Sequence, residues 1–65
     1  MSFAVLKRKL LAVDGVQAVA CKDNKLTIRY THFADHDRIT VMQQKIAYIV
    51  AQSGLGISFI DYKAA

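Results

Sequence analysis

Val16-Gln17-Ala18-Val19-Ala20-Cys21-Lys22-Asp23-Asn24-Lys25-Leu26-Thr27-Ile28-Arg29-Tyr30-Thr31 is the stretch whose reading decides the fold. Two short runs, Val16 to Cys21 and Lys25 to Thr31, carry strand-like alternation and meet at Lys22-Asp23-Asn24-Lys25. Asp and Asn at the two central turn positions tolerate the positive φ that a tight hairpin requires. With Asp23-Asn24 as the turn, Cys21 faces Leu26, Val19 faces Ile28 and Gln17 faces Tyr30. The apolar partners then share one face, while Thr27, Arg29 and Thr31 point the other way.

Outward from this hairpin, each flank reads as a helix. On the N-terminal side, Phe3, Leu6, Leu10 and Val13 recur at spacings of three and four, which predicts a helix over 2–13 with Ser2 as its N-cap. Gly15, after Asp14, supplies the left-handed residue that ends it. Lys7, Arg8 and Lys9 fall off the apolar stripe, near the end where cations suit the helix dipole, and read as a solvated face. On the C-terminal side, residues 32–37 form a polar connection. A second helix is expected over 38–53, capped by Asp37 or opened later by a Thr40/Gln43 capping box. Ile39, Met42, Ile46, Ile49 and Val50 make its buried stripe, and Gly54 ends it. Ile57 to Lys63 read as a last strand, with Ile57 and Phe59 on one face and Ile60 and Tyr62 on the other. Apolar residues on both faces suit a strand covered on two sides. The element order is therefore α-β-β-α-β in one α+β domain spanning residues 1–65.

Composition narrows the functional classes. The chain has 65 residues, of which 54% are hydrophobic, with one cysteine and a net charge of +4. A chain of this length buries only roughly 60% of its unfolded surface, so a partner or a tightly packed core must support it. One cysteine excludes an intramolecular disulfide and a cysteine-only metal site within one chain. No apolar run reaches the roughly 20 residues that span a bilayer, so membrane insertion is not expected. A lone cysteine and no targeting pattern point to the cytoplasm. The basic balance favours anionic partners weakly.

The stretch Val13-Asp14-Gly15-Val16-Gln17-Ala18-Val19, followed by Leu26-Thr27-Ile28-Arg29-Tyr30, resembles the heavy-metal-associated domain. Ile46 through Gly54 and Ile57 through Phe59 fit the later part of that pattern, so the resemblance covers about residues 6 to 60. It implies a ferredoxin-like fold, here truncated, with an antiparallel-containing sheet and both helices on one face. The family binds soft metals through a Cys-x-x-Cys motif after its first strand. This chain has neither the motif nor room for that strand before Phe3. The functional cysteines therefore carry over to no position.

The chemistry-bearing residues are few. Cys21, opposite Leu26, reads as a small buried hydrophobe. His32, Asp35, His36 and Asp37 form the densest set of potential ligands. The four-residue His spacing fits a zinc pair only on a helix, and the expected loop leaves them as a polar connection with Asp35 or Asp37 capping the second helix. His32, Asp35, His36 and Cys21 are thus weak metal candidates, and no cofactor is expected. No glycine-rich phosphate loop, paired acids or triad order suggests an enzyme. Nucleic acid would need stacking aromatics on the sheet. Tyr30 and Tyr62 are the candidates, with Arg29, Lys22 and Lys25 nearby, but Tyr30 shares the core-facing side of Leu26 and Ile28.

What remains is association. In a complete ferredoxin-like sheet the first strand lies between the last strand and Lys25–Thr31. Without it, either the last strand moves in beside Lys25–Thr31, or a second chain completes the sheet. Ile60 and Tyr62, expected on the uncovered face, favour a homodimer or other protein partner met through Ile57, Phe59, Ile60 and Tyr62. An atypical metal-handling protein is the alternative.

Overall fold

The computed structural model describes residues 2–31 and 35–64. Two helices and a three-stranded mixed sheet follow in the order α1 (Phe3–Leu11), β1 (Val16–Lys22), β2 (Lys25–Tyr30), α2 (His36–Ser53) and β3 (Phe59–Ala64).

The hairpin forms as its turn residues dictate. Asp23 and Asn24 take φ of 53° and 62°, the paired positive values of a twist-matched two-residue turn. Lys22 pairs with Lys25, Cys21 with Leu26 and Val19 with Ile28. The expected Gln17–Tyr30 pair does not form. A bulge between Val16 and Ala18 sets Val16 opposite Tyr30 instead. The extra residue lets apolar Val16 reach the core cluster and turns polar Gln17 outward, where its amide donates to Thr31 Oγ1 at 2.9 Å.

Ser2 caps α1, its hydroxyl accepting from the Val5 amide at 3.3 Å. The helix stops at Leu11, two residues short of the expected Val13. Val13 and Gly15 then build the turn into β1, in which the Val16 amide donates to the Val13 carbonyl at 3.1 Å. Gly15 has φ of 93°, which a side chain would resist. α2 starts earlier than expected. Of the two candidate caps, Asp35 is the N-cap, accepting from the Asp37 amide at 2.9 Å. Thr40 lies inside the helix and donates back to the His36 carbonyl, so no capping box opens there. Gly54 closes α2 in the left-handed conformation, φ 68°. Buried Ser53 is satisfied locally, donating to the Val50 carbonyl and accepting from the Leu55 amide.

β3 resolves the question of the missing strand within one chain. It lies directly beside β2 and parallel to it, giving the sheet order β1-β2-β3. The α2 crossover supplies the length that a parallel connection needs. The Ser58 amide and hydroxyl both donate to the Asn24 carbonyl, which ties the approach to β3 to the hairpin turn.

The strand begins at Phe59 rather than Ile57, and its faces are the reverse of those expected. Ile60 pairs with Leu26 and Tyr62 with Ile28, so both join the core-facing side. Ile57 packs against the core from the segment before the strand, and Phe59 points away, 56% exposed. The core among the described residues is Leu6, Leu10, Val19, Leu26, Ile28, Met42 and Ile46, set between one sheet face and the two helices.

Candidate binding surface

With the helices on one side, the sheet presents its other face uncovered among the described residues. Pairing places nine side chains there in three rows. Lys22, Lys25 and Phe59 form the first, Ala20, Thr27 and Asp61 the second, and Ala18, Arg29 and Lys63 the third. Adjacent strands stand about 4.8 Å apart and successive rows about 7 Å apart. Four cations thus sit with one carboxylate on a face whose middle is floored by small side chains.

The rows are linked. Lys25 Nζ lies 5.6 Å from the centre of the Phe59 ring and 4.0 Å from Asp61 Oδ2, and Lys63 Nζ lies 3.8 Å from the same oxygen. Exposed ion pairs of this kind contribute at most about 1 kcal/mol, and an exposed cation–π contact about 0.5–1 kcal/mol. These contacts orient the lysines without neutralising the face. Phe59 is stabilised little by burial, so its exposure is not explained by packing within the chain.

The sequence-predicted residues separate. Cys21 is in register with Leu26 as expected, but it is exposed rather than buried. Leu26 belongs to the central strand, where both neighbours and the helices cover it. Cys21 lies near the hairpin end of an outer strand, beyond that cover. His32 lies outside the described residues. Asp35 and His36 are exposed at the start of α2, where Asp35 is occupied as a cap. That start follows Tyr30 at one end of β2, while Cys21 sits opposite Leu26 near the other. The four-residue separation corresponds to about 13 Å along the strand. No group of three or more His, Cys, Asp or Glu side chains comes together among the described residues. Tyr62 is turned inward. Its hydroxyl donates to the Gln43 carbonyl at 3.5 Å, and burial pushes its pKa above the ordinary tyrosine value.

A concavity lies elsewhere, between the α1–β1 turn and α2. It holds about 230 Å³ and is lined by Val13, Asp14, Asp37, Arg38, Val41, Met42 and Lys45. That is below the roughly 300–1,000 Å³ of typical ligand sites; an adjoining, shallower depression of about 520 Å³ opens over Lys9, Ala12, Lys45, Tyr48 and Ile49. The polar lining of the first concavity is Asp37, Lys45 and an exposed ion pair, Arg38 to Asp14 at 3.2 Å.

Phe59 as an open-face aromatic is the feature that the expected strand faces missed. The alternation Ile60-Asp61-Tyr62-Lys63 holds the signal, because Asp61 and Lys63 share the side of Phe59 and mark it as the solvated one.

No helix among the described residues is long and apolar enough to cross a membrane. Comparison with known proteins finds no matching family model, no similar curated protein and no similar solved structure.

Proposed function

We propose that this chain is a non-enzymatic association module, a truncated ferredoxin-like unit of the heavy-metal-associated type, that pairs with a second copy of itself through β3. What carries the reading is the free outer edge of β3. β2 lies on its inner side, and on its outer side no strand among the described residues satisfies its backbone. An unpaired strand edge is a template for another strand. The other outer strand, β1, is the poorer template because its bulge disrupts the ladder.

Charge selects the register. In a two-fold antiparallel pair centred on Tyr62, Asp61 of each copy stands opposite Lys63 of the other, and Ile60 opposite Ala64. Opposite charges facing each other across strands are favourable by about 0.2–1 kcal/mol, whereas like charges are not. The open sheet faces do not serve as the contact, since four cations and one carboxylate on each would repel. Tyr62 and Ile60 take part only through their backbones and core-side rims, which changes the test that suits them. Tyr62→Asp would disturb the core and so report folding rather than pairing.

The discriminating experiment is a charge swap. Sedimentation equilibrium at micromolar concentration should give about twice the chain mass for the wild type. Asp61→Lys should give the monomer, and Asp61→Lys combined with Lys63→Asp should restore the dimer. A wild-type chain that stays monomeric at high micromolar concentration, with its fold intact, defeats the proposal.

A further inference from the structure

We infer that the open face of the sheet binds single-stranded nucleic acid, with Lys22, Lys25, Arg29 and Lys63 holding phosphates and Phe59 stacking on a base. The inference goes beyond the self-pairing of β3 and does not depend on it. Three observations converge on one surface. Its charge is four cations against Asp61, set in rows that follow from strand register. Among the described residues its one aromatic ring, Phe59, is 56% exposed at the corner where Lys22 and Lys25 lie, with the Lys25 ammonium 5.6 Å from the ring centre. Its middle row runs from Ala20 through Thr27 to Asp61, with Ala18 beside Ala20 on the outer strand, so Ala18, Ala20 and Thr27 leave a patch of side chains too short to block a base or sugar lying across the strands.

A cationic groove with an aromatic platform is the chemistry that single strands require. The phosphates meet the cations, and an unpaired base offers a π-face to the ring. Duplex DNA fits less well, because the helices that would enter a major groove lie on the far side of the sheet. An acidic protein would use the cations but leave Phe59 without a role.

The single aromatic also sets the expected pattern. Backbone contacts dominate, sequence preference is slight, and affinity depends strongly on salt. Each phosphate contact on a single strand contributes about 0.7 to the slope of log K against log salt, so four cations give a slope near −3. If β3 pairs two copies as proposed, the two faces join into one six-stranded surface and the bound length doubles.

The test is fluorescence anisotropy of labelled decathymidylate and decauridylate with the intact chain, from 20 mM to 200 mM salt. The wild type should bind with a slope of about −2 to −3. Phe59→Ala should weaken binding about tenfold while leaving the melting temperature unchanged, because the ring is largely exposed. Arg29→Glu should weaken it and flatten the slope. Asp61→Lys, which adds a cation and separates the proposed dimer, should still bind, so failure of the pairing reading leaves this one standing. Absence of binding at 20 mM salt overturns the inference. So does binding that Phe59→Ala does not affect, or binding lost in Lys7→Ala/Arg8→Ala/Lys9→Ala rather than in the sheet variants. A decaglutamate peptide that competes as well as decathymidylate assigns the face to acidic proteins instead.

Discussion

Single side chains divide into those that hold the fold and those that only ride on it. Ile46 is fully buried where α2 meets the core of Leu6, Leu10, Leu26 and Ile28. Ile46→Ala removes three carbons from a packed site and should cost about 2–5 kcal/mol in urea unfolding, enough to leave much of so small a domain unfolded. Exposed Cys21 makes no comparable contacts, so Cys21→Ala should stay within about 0.5 kcal/mol of wild type. Tyr62 adds a pH dependence. Burial raises its pKa in the folded chain above the ordinary value of 10.0, so the unfolded chain gives up the phenolic proton first. This contribution to stability is fully present below pH 10 and is lost as pH rises from there through the folded-state pKa. Urea midpoints measured from about pH 8 upward should fall more steeply in the wild type than in Tyr62→Phe, and coincident curves would show that the phenol carries no such linkage.

At the scale of elements, the β1–β2 hairpin is the part whose geometry is most local. Asp23 and Asn24 both occupy positive φ, where an ordinary side chain costs about 1–2 kcal/mol. Asn24→Gly should therefore be neutral or stabilising, and Asn24→Val should lose about 1–2 kcal/mol in the same urea titration. Locality also explains which elements are legible in the sequence. The turn type, the pairs Cys21–Leu26 and Val19–Ile28, the Ser2 cap and the Gly54 stop each depend on residues within a few positions of one another. The bulge at Val16 depends on the turn from α1, and the facing of β3 depends on how α2 returns the chain to the sheet. The alternation that sets Phe59 against Ile60 and Tyr62 holds; what fails is the choice of the core face, and Ile57, ahead of the regular pairing that starts at Phe59, packs inward with Ile60 and Tyr62. The consequence reaches the candidate surface. Tyr30 and Tyr62 are the aromatics that the pattern offers for stacking, yet both turn toward the core, and Phe59, grouped with Ile57 on one face, is the ring that reaches solvent. The charged residues of that face, Lys22, Lys25 and Arg29, are legible because the hairpin that carries them is.

For the whole molecule, size is the first constraint. The radius of gyration is 11.0 Å, close to the about 10.7 Å expected for a compact chain of this length. The chain therefore closes on itself, and a second copy adds to a finished sheet rather than supplying a missing strand. Seven buried apolar side chains among the described residues are a small core, and domains of this size commonly draw stability from a partner. If β3 pairs with β3 of a second copy, folding and association are coupled, and the unfolding midpoint must rise with protein concentration. Each tenfold increase adds about 1.4 kcal/mol to the dimer, which for two chains of this length corresponds to a rise of about 5 °C. Calorimetry between about 10 µM and 1 mM should show that rise in the wild type. Asp61→Lys should lose the dependence, because the introduced ammonium would then oppose Lys63 of the other copy across the two-fold axis, and the double charge swap should recover it. A midpoint independent of concentration in all three proteins would identify β3 as a tolerated free edge, and the proposal for the open cationic face would then stand without it.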